Sequence, residues 1–115
     1  MHCLPDGHRA ESRDVSDLRP ELKSAAVDQS SVGAAPVVIV VAAVPSRLSH
    51  RYGDKAEAFV QIEVGHAAQN ILLQVAALGL AAVPVGSLDP SRAADTLAQP
   101  PDQTVLYLIP VGHIP

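Results

Sequence analysis

Glu63, His66 and Asn70 stand at offsets of 3 and 7, so on a helix they share one face. Glu-x-x-His at that spacing is half of a di-iron carboxylate site. The other half needs a second copy of the motif and glutamates from further helices, and the sequence has neither. His66 is therefore expected to hydrogen-bond within the fold near a helix start, and no metal is assigned. His2, His8, His50 and His113 are scattered without ligand spacing, and Cys3 is the only cysteine. An internal disulfide and a cysteine-based zinc cage are thereby excluded. Gly79 and Gly86 are seven apart with flanks unlike those of a nucleotide-binding loop, and Ser87 lacks the Gly-x-Ser-x-Gly setting of a hydrolase nucleophile. What remains is a glycine-bearing turn, Pro84, Val85, Gly86 and Ser87, placed just after a long apolar stretch. By composition alone it could be an ordinary turn between two helices.

The elements that must position this turn follow from periodicity. Val64, Ala67, Ala68, Ile71, Leu72, Val75 and Leu78 recur at helical offsets, and Gly79 is a natural left-handed stop for that helix. Residues 81–85 read as a brief extended piece. Asp89 before Pro90 resembles an N-cap followed by proline at the first helical position, with the helix running to about Ala98 and ended by Pro100 and Pro101. Residues 18–27 predict a short helix with Pro20 in its first turn, and residues 29–35 (QSSVGAA) a loop. The β-branched run 37–44, bounded by Pro36 and Pro45, predicts a strand buried on both faces. Residues 104–111 predict a second strand, in which Pro110 favours an edge or a bulge. Residues 1–17 are expected to form an irregular polar segment and 18–115 the folded part of a single partial domain. Helices packed on one small sheet make the fold class α+β. Two strands make a thin sheet, so further strands are expected from a partner chain or from sequence outside these residues.

Composition narrows the partners. Of 115 residues 48% are apolar but only 3% aromatic, so the core must be aliphatic and the stacking platforms of single-strand nucleic-acid binding are absent. A net charge of −4 leaves no broad field for a polyanion or an acidic membrane, although ten of the twenty charged residues crowd between Asp6 and Asp28. The N-terminus is too polar for a secretory signal, and the run 36–44 is too short to span a bilayer. No nucleic-acid or membrane partner is expected, and a cytoplasmic location is.

The stretch "GHAAQNILLQVAALGLAAVPVGSLD" followed by "LYLIPVGH" resembles the C-terminal half of an FMN-dependent enzyme of the nitroreductase fold. Gly65-His66, Asn70, the Ala-Leu-Gly-Leu run at 77–80 and Pro84-Val85-Gly86 carry the resemblance together. More narrowly, "HRYGDKAEAFVQIEVGHAAQN" resembles the SagB-type dehydrogenases, the branch that includes the oxidases of thiazole and oxazole peptide biosynthesis. The match runs from about Leu18 to the end and extends weakly upstream. The resemblance implies a partial nitroreductase-like fold whose sheet is mostly antiparallel. It also implies FMN as cofactor, hydride transfer to or from an organic or modified-peptide substrate, and a homodimer joined through the apolar helix 64–78. Pro84, Val85, Gly86 and Ser87 would lie along the isoalloxazine as cofactor-binding residues, with a small residue letting the main chain approach a flat ring. The family's phosphate grip, an arginine- and serine-rich segment with further cations beyond the final strand, falls outside the matched region. Arg9, Ser12 and Arg13 could offer an anion site, but Glu11 and Asp14 sit among them at a spacing unlike the family's.

The resemblance also implies Arg51 and Tyr52 as catalytic residues, since they fall where azoline oxidases often carry a Lys-Tyr pair that removes a substrate proton. Arginine stays protonated at ordinary pH, so Arg51 could orient an anion but is a poor base, while Tyr52 could donate or relay a proton. A surface arginine beside a packed tyrosine is the plainer reading. The alternative to an enzyme is a non-catalytic truncated fragment or interaction module that has lost the phosphate site.

Overall fold

The last apolar run of the chain, Thr104–Gly112 (β5), is the central strand of a three-stranded antiparallel sheet in the computed structural model, which describes residues 2–4, 6–12 and 16–114. Val37–Ala43 (β3) pairs along one edge of it, and the two-residue strand Ala81–Ala82 (β4) pairs along the other. A separate antiparallel hairpin joins His2–Leu4 (β1) to Arg9–Glu11 (β2), where an irregular segment was expected; Gly7 and His8 take the positive φ angles that turn it. Among the described residues four α-helices come before β4: Arg19–Ala25 (α1), Ser30–Ala34 (α2), Ser46–Tyr52 (α3) and Ala56–Ala77 (α4). The fifth, Pro90–Thr96 (α5), precedes β5.

Strand alternation divides the core between the two faces of the sheet. Val38 and Val40 of β3 pack with Val105 and Leu108 of β5 against α1, α2 and α5, through Leu22, Val32 and Ala93. Ile39, Val41, Tyr107 and Ile109 point to the opposite face, where Ala68, Ile71 and Val75 of α4 cover them. A bulge sets the parity: Val41 faces Tyr107 while Ala42 faces Val105, so Leu106 is the extra residue and Val105 and Leu108 meet the same helices.

Several expectations are corrected. Within residues 29–35, expected to be a loop, Ser30–Ala34 form α2, because Val32 is fully buried and anchors one helical turn in the core despite its Ser and Gly neighbours. β3 has helices over both faces as expected, yet none of its residues is fully buried, since it lies at a sheet edge; Val37 is 55% exposed. The doubly buried strand is β5, and Pro110 stands in that central strand rather than at an edge or in the bulge. The long helix begins a full two turns earlier than its apolar repeat implied, at Ala56, led in by a 3₁₀ turn over Gly53–Lys55.

Helix ends agree closely with local sequence chemistry. Asp89 Oδ1 accepts hydrogen bonds from the N–H groups of Ser91 (3.0 Å) and Arg92 (3.1 Å), and Pro90 opens α5. Gly79 at φ 70° ends α4: its N–H donates to the Ala76 carbonyl and that of Leu80 donates to Val75, which satisfies two of the last helical acceptors. The chain then turns directly into β4, which delivers residues 84–87 to the sheet edge.

Candidate functional site

The turn at Pro84, Val85, Gly86 and Ser87 is positioned by a broken ladder. β4 pairs Ala81 with Gly112 and Ala82 with Val111, and Val85 returns to β5 as a single bridge to Leu108 in the same register. That register places Val83 opposite Pro110. In a regular ladder this would be a hydrogen-bonded pair, but proline has no N–H to give the Val83 carbonyl. Pairing lapses over Val83 and Pro84, and Val83 is 46% exposed.

Val85 re-anchors the chain: its N–H donates to the Leu108 carbonyl at 2.8 Å, and the Leu108 N–H donates back at 3.1 Å. Its side chain is buried with those of Leu22 and Leu108. Because successive residues of a strand point their main-chain groups to opposite sides, the Gly86 N–H faces away from β5. Among the described residues neither the Gly86 nor the Ser87 N–H has a hydrogen-bond partner, and both residues are exposed. The Leu88 N–H then donates to the Gly86 carbonyl at 3.1 Å, curling the chain toward the Asp89 cap. Of the four residues singled out in the sequence, two therefore offer donors: Pro84 has none and that of Val85 is spent in the sheet.

The reason for glycine at 86 differs from the one expected. Its φ is not positive, so no special backbone conformation demands it. A Cβ built there would stand 3.1 Å from Cε1 of Tyr107, pointing at the sheet's α4 face and not outward along the N–H.

Arg51 and Tyr52 form a second group. They close α3, with the Arg51 guanidinium carbon 5.4 Å from the Tyr52 ring centroid. Tyr52 meets Phe59 of α4 edge to face at 4.9 Å and is 38% exposed. α3 packs on α4 and follows β3, whereas the turn bridges to the far side of β5, so the central strand stands between the two groups. The end of β3, α3 and α4 enclose an open cleft of about 370 Å³, which Arg47, one turn before Arg51, and Glu63 line together with Val41, Val44 and Leu48. Val41 on the cleft wall is the cross-strand neighbour of Tyr107 in β5.

His66 lies in the middle of α4, exposed and with no side-chain hydrogen bond among the described residues, instead of near a helix start. The lengthening of α4 toward its N-terminus places that start at Ala56, ten residues before His66. No group of three or more His, Cys, Asp or Glu residues is placed to hold a metal among the described residues. Arg9 lies exposed on β2, and Arg13 lies outside the described residues. The cation nearest the turn in sequence, Arg92, donates through Nη2 to Ser24 Oγ at 2.9 Å and so ties α5 to α1. Tyr107, Pro110 and Phe59 were not legible as site residues. Pro110 was visible as a proline in a strand, but its partner Val83 depended on a pairing that the sequence does not spell out.

The Nitroreductase family matches residues 5–113. A Methanocaldococcus jannaschii protein named as a nitroreductase is 34% identical over 110 residues, which are 96% of this chain and 54% of that protein. The chain thus spans about half the length of that relative. Among solved structures, the NADPH:FMN oxidoreductase of Vibrio harveyi, complexed with NAD+, superposes with a TM-score of 0.71 at 26% identity, over 84% of this chain and 46% of that one. A protein of Anabaena variabilis described as a nitroreductase shares the fold, with a TM-score of 0.80 at 23% identity over 87% of this chain and 20% of that one. No described helix is long and apolar enough to cross a membrane. The open-edged turn after a glycine-capped helix, set on a small antiparallel sheet, thus comes with a family match along nearly the whole sequence: the chain belongs to the nitroreductase family.

Proposed function

We propose that this chain forms part of an FMN-dependent oxidoreductase of the SagB-type branch, with residues 1–115 as one partial nitroreductase-like domain, its C-terminal half. The observation that carries the reading is the pair of N–H groups at Gly86 and Ser87, on exposed residues and without partners among the described residues, in a chain segment whose ladder has lapsed. When bound, FMN supplies hydride transfer, and the protein contributes orientation and electrostatics. Gly86 and Ser87 would donate to the acceptor edge of the isoalloxazine, where preorganised N–H groups favour charge that builds up on reduction. Pro84 and Val85 hold those donors in place, Val85 through its bridge to Leu108.

Arg51 and Tyr52 would handle an organic or modified-peptide substrate. Tyr52 donates or relays a proton, while Arg51 stays charged over its ring and orients an anionic group. Because α3 and the turn lie apart in one chain, the two groups would come together only across a homodimer. The face of α4 opposite the core supports such a contact, with Ile62 55% and Leu73 60% exposed. A cytoplasmic location fits this chemistry. That same apolar face favours the second reading, an interaction module without cofactor.

The turn offers main-chain donors, and the cation nearest it in sequence, Arg92, is held toward Ser24, so the ring and not the phosphate should be what this chain grips. Titration of the purified protein with FMN and with riboflavin, read by quenching of flavin fluorescence, tests this. The proposal expects saturable binding of both, with affinities within about threefold, since no charge-assisted phosphate contact separates them. Absence of saturable quenching with either flavin favours the interaction module.

A further inference from the structure

Gly86 is specified by its neighbour and not by its backbone. An ideal Cβ at that position meets Cε1 of Tyr107 at 3.1 Å and Cδ1 at 3.6 Å, the first well inside the 3.5–4.0 Å optimum for two carbons. Tyr107 is half-buried and backed by the sheet. It lies in the central strand, pairs with Val41 on its other side, and packs in the cluster beneath α4 with Ile109 and Ile71. The turn, by contrast, is held lightly. Pairing lapses over Val83 and Pro84 opposite Pro110, so the Val85–Leu108 bridge is the last sheet contact before Gly86.

We propose that Tyr107 is a positioning residue: its ring is the floor on which Gly86 rests, and it thereby fixes where the Gly86 and Ser87 N–H groups stand. This rests on the flavin reading of the turn for its functional consequence. A methyl group at 86 must lift the turn by a few tenths of an ångström or displace the ring. Either response re-aims donors whose strength depends steeply on geometry. The ring carbons carry the contact, so the phenol oxygen is dispensable for it.

A double-mutant cycle tests the assignment, with FMN affinity measured by fluorescence quenching and the Ser87 amide followed by ¹⁵N-correlated NMR in the FMN-free protein. G86A should weaken FMN binding about tenfold and move the Ser87 amide signal, a loss comparable to that of one good hydrogen bond. Y107F should behave as the unsubstituted protein. Y107L removes the floor, and G86A/Y107L should bind FMN more tightly than G86A alone, with the Ser87 signal returned toward its original position. Effects of G86A and Y107L that simply multiply, or a Ser87 amide indifferent to G86A, would overturn the assignment. If the unsubstituted protein binds no FMN, the flavin reading fails, while the Ser87 signal across the same four proteins still decides whether Tyr107 sets the turn.

Discussion

Single side chains set the geometry here mainly through what they withhold. Pro110 withholds an N–H from Val83, and Gly86 withholds a Cβ from Tyr107; together these absences leave a short stretch of main chain with free donors beside a rigid sheet. Where side chains do engage each other, the strongest polar pair is remote from the turn. Arg19 grips Asp17 through Nε (2.8 Å) and Nη2 (2.7 Å) while its Nη1 donates to the Ala35 carbonyl, tying the start of α1 to the end of α2. The Arg19 side-chain hydrogen bond leads the forces that hold the Asp17 carboxyl at about 2, below its ordinary 3.8. A carboxylate depressed on folding stabilises the fold fully above 3.8 and loses that contribution as pH falls toward 2. Carboxyl carbon NMR across this range should find the Asp17 midpoint near 2 and, in Arg19→Ala, raised but still below 3.8, because the residue 19 main-chain N–H still donates to Asp17 Oδ1 (3.1 Å); equal midpoints in the two proteins would show that the side-chain pair does not hold the carboxylate.

At the scale of elements, two helices end by the same device with different residues. α4 ends on Gly79 at φ 70°, and α5 ends on Ala98 at φ 48°, where the Gln99 N–H donates to the Ala94 carbonyl as that of Leu80 does to Val75. An L-residue with a Cβ is strained in that region, and glycine is not. Gly79→Ala meets no atom within 4 Å, so its penalty is conformational alone, about 1 kcal/mol. Ala98→Gly should raise stability by up to about 1 kcal/mol. Urea unfolding of both variants checks the pair, and shifts of the same sign would contradict it. Local chemistry of this kind was legible: the Asp89 cap, Pro90, the Gly79 stop and both long apolar strands were read from the residues themselves. What could not be read was anything decided by distant neighbours. α2 exists because Val32 reaches the core, α3 left no periodic signal, and β3 and β5 exchanged their expected roles because only the folded sheet says which strand is central.

For the whole molecule, the long helix raises the question of what lies beyond this chain. α4 buries Val60, Val64, Ala68 and Val75 on one side and leaves Ile62 and Leu73 exposed on the other, so it is apolar on both. On the homodimer proposal, Ile62→Glu should shift sedimentation from dimer to monomer without loss of helical circular dichroism; a protein that sediments identically with and without the charge would refute this contact. The candidate site divides along the same line between legible and hidden. Pro84, Val85, Gly86 and Ser87 were identifiable as a turn worth attention. That only Gly86 and Ser87 carry available donors, and that Tyr107 supports them, followed from pairing with β5.

Flavin recognition by this chain would rest on main-chain donors at two adjacent residues, and their amide signals report on it directly. Addition of FMN to the ¹⁵N-labelled protein should move the Gly86 and Ser87 amides together, saturably and further than those of Val85 and Leu108, whose hydrogen bonds are already made. Saturable FMN binding that leaves Gly86 and Ser87 unmoved would contradict it.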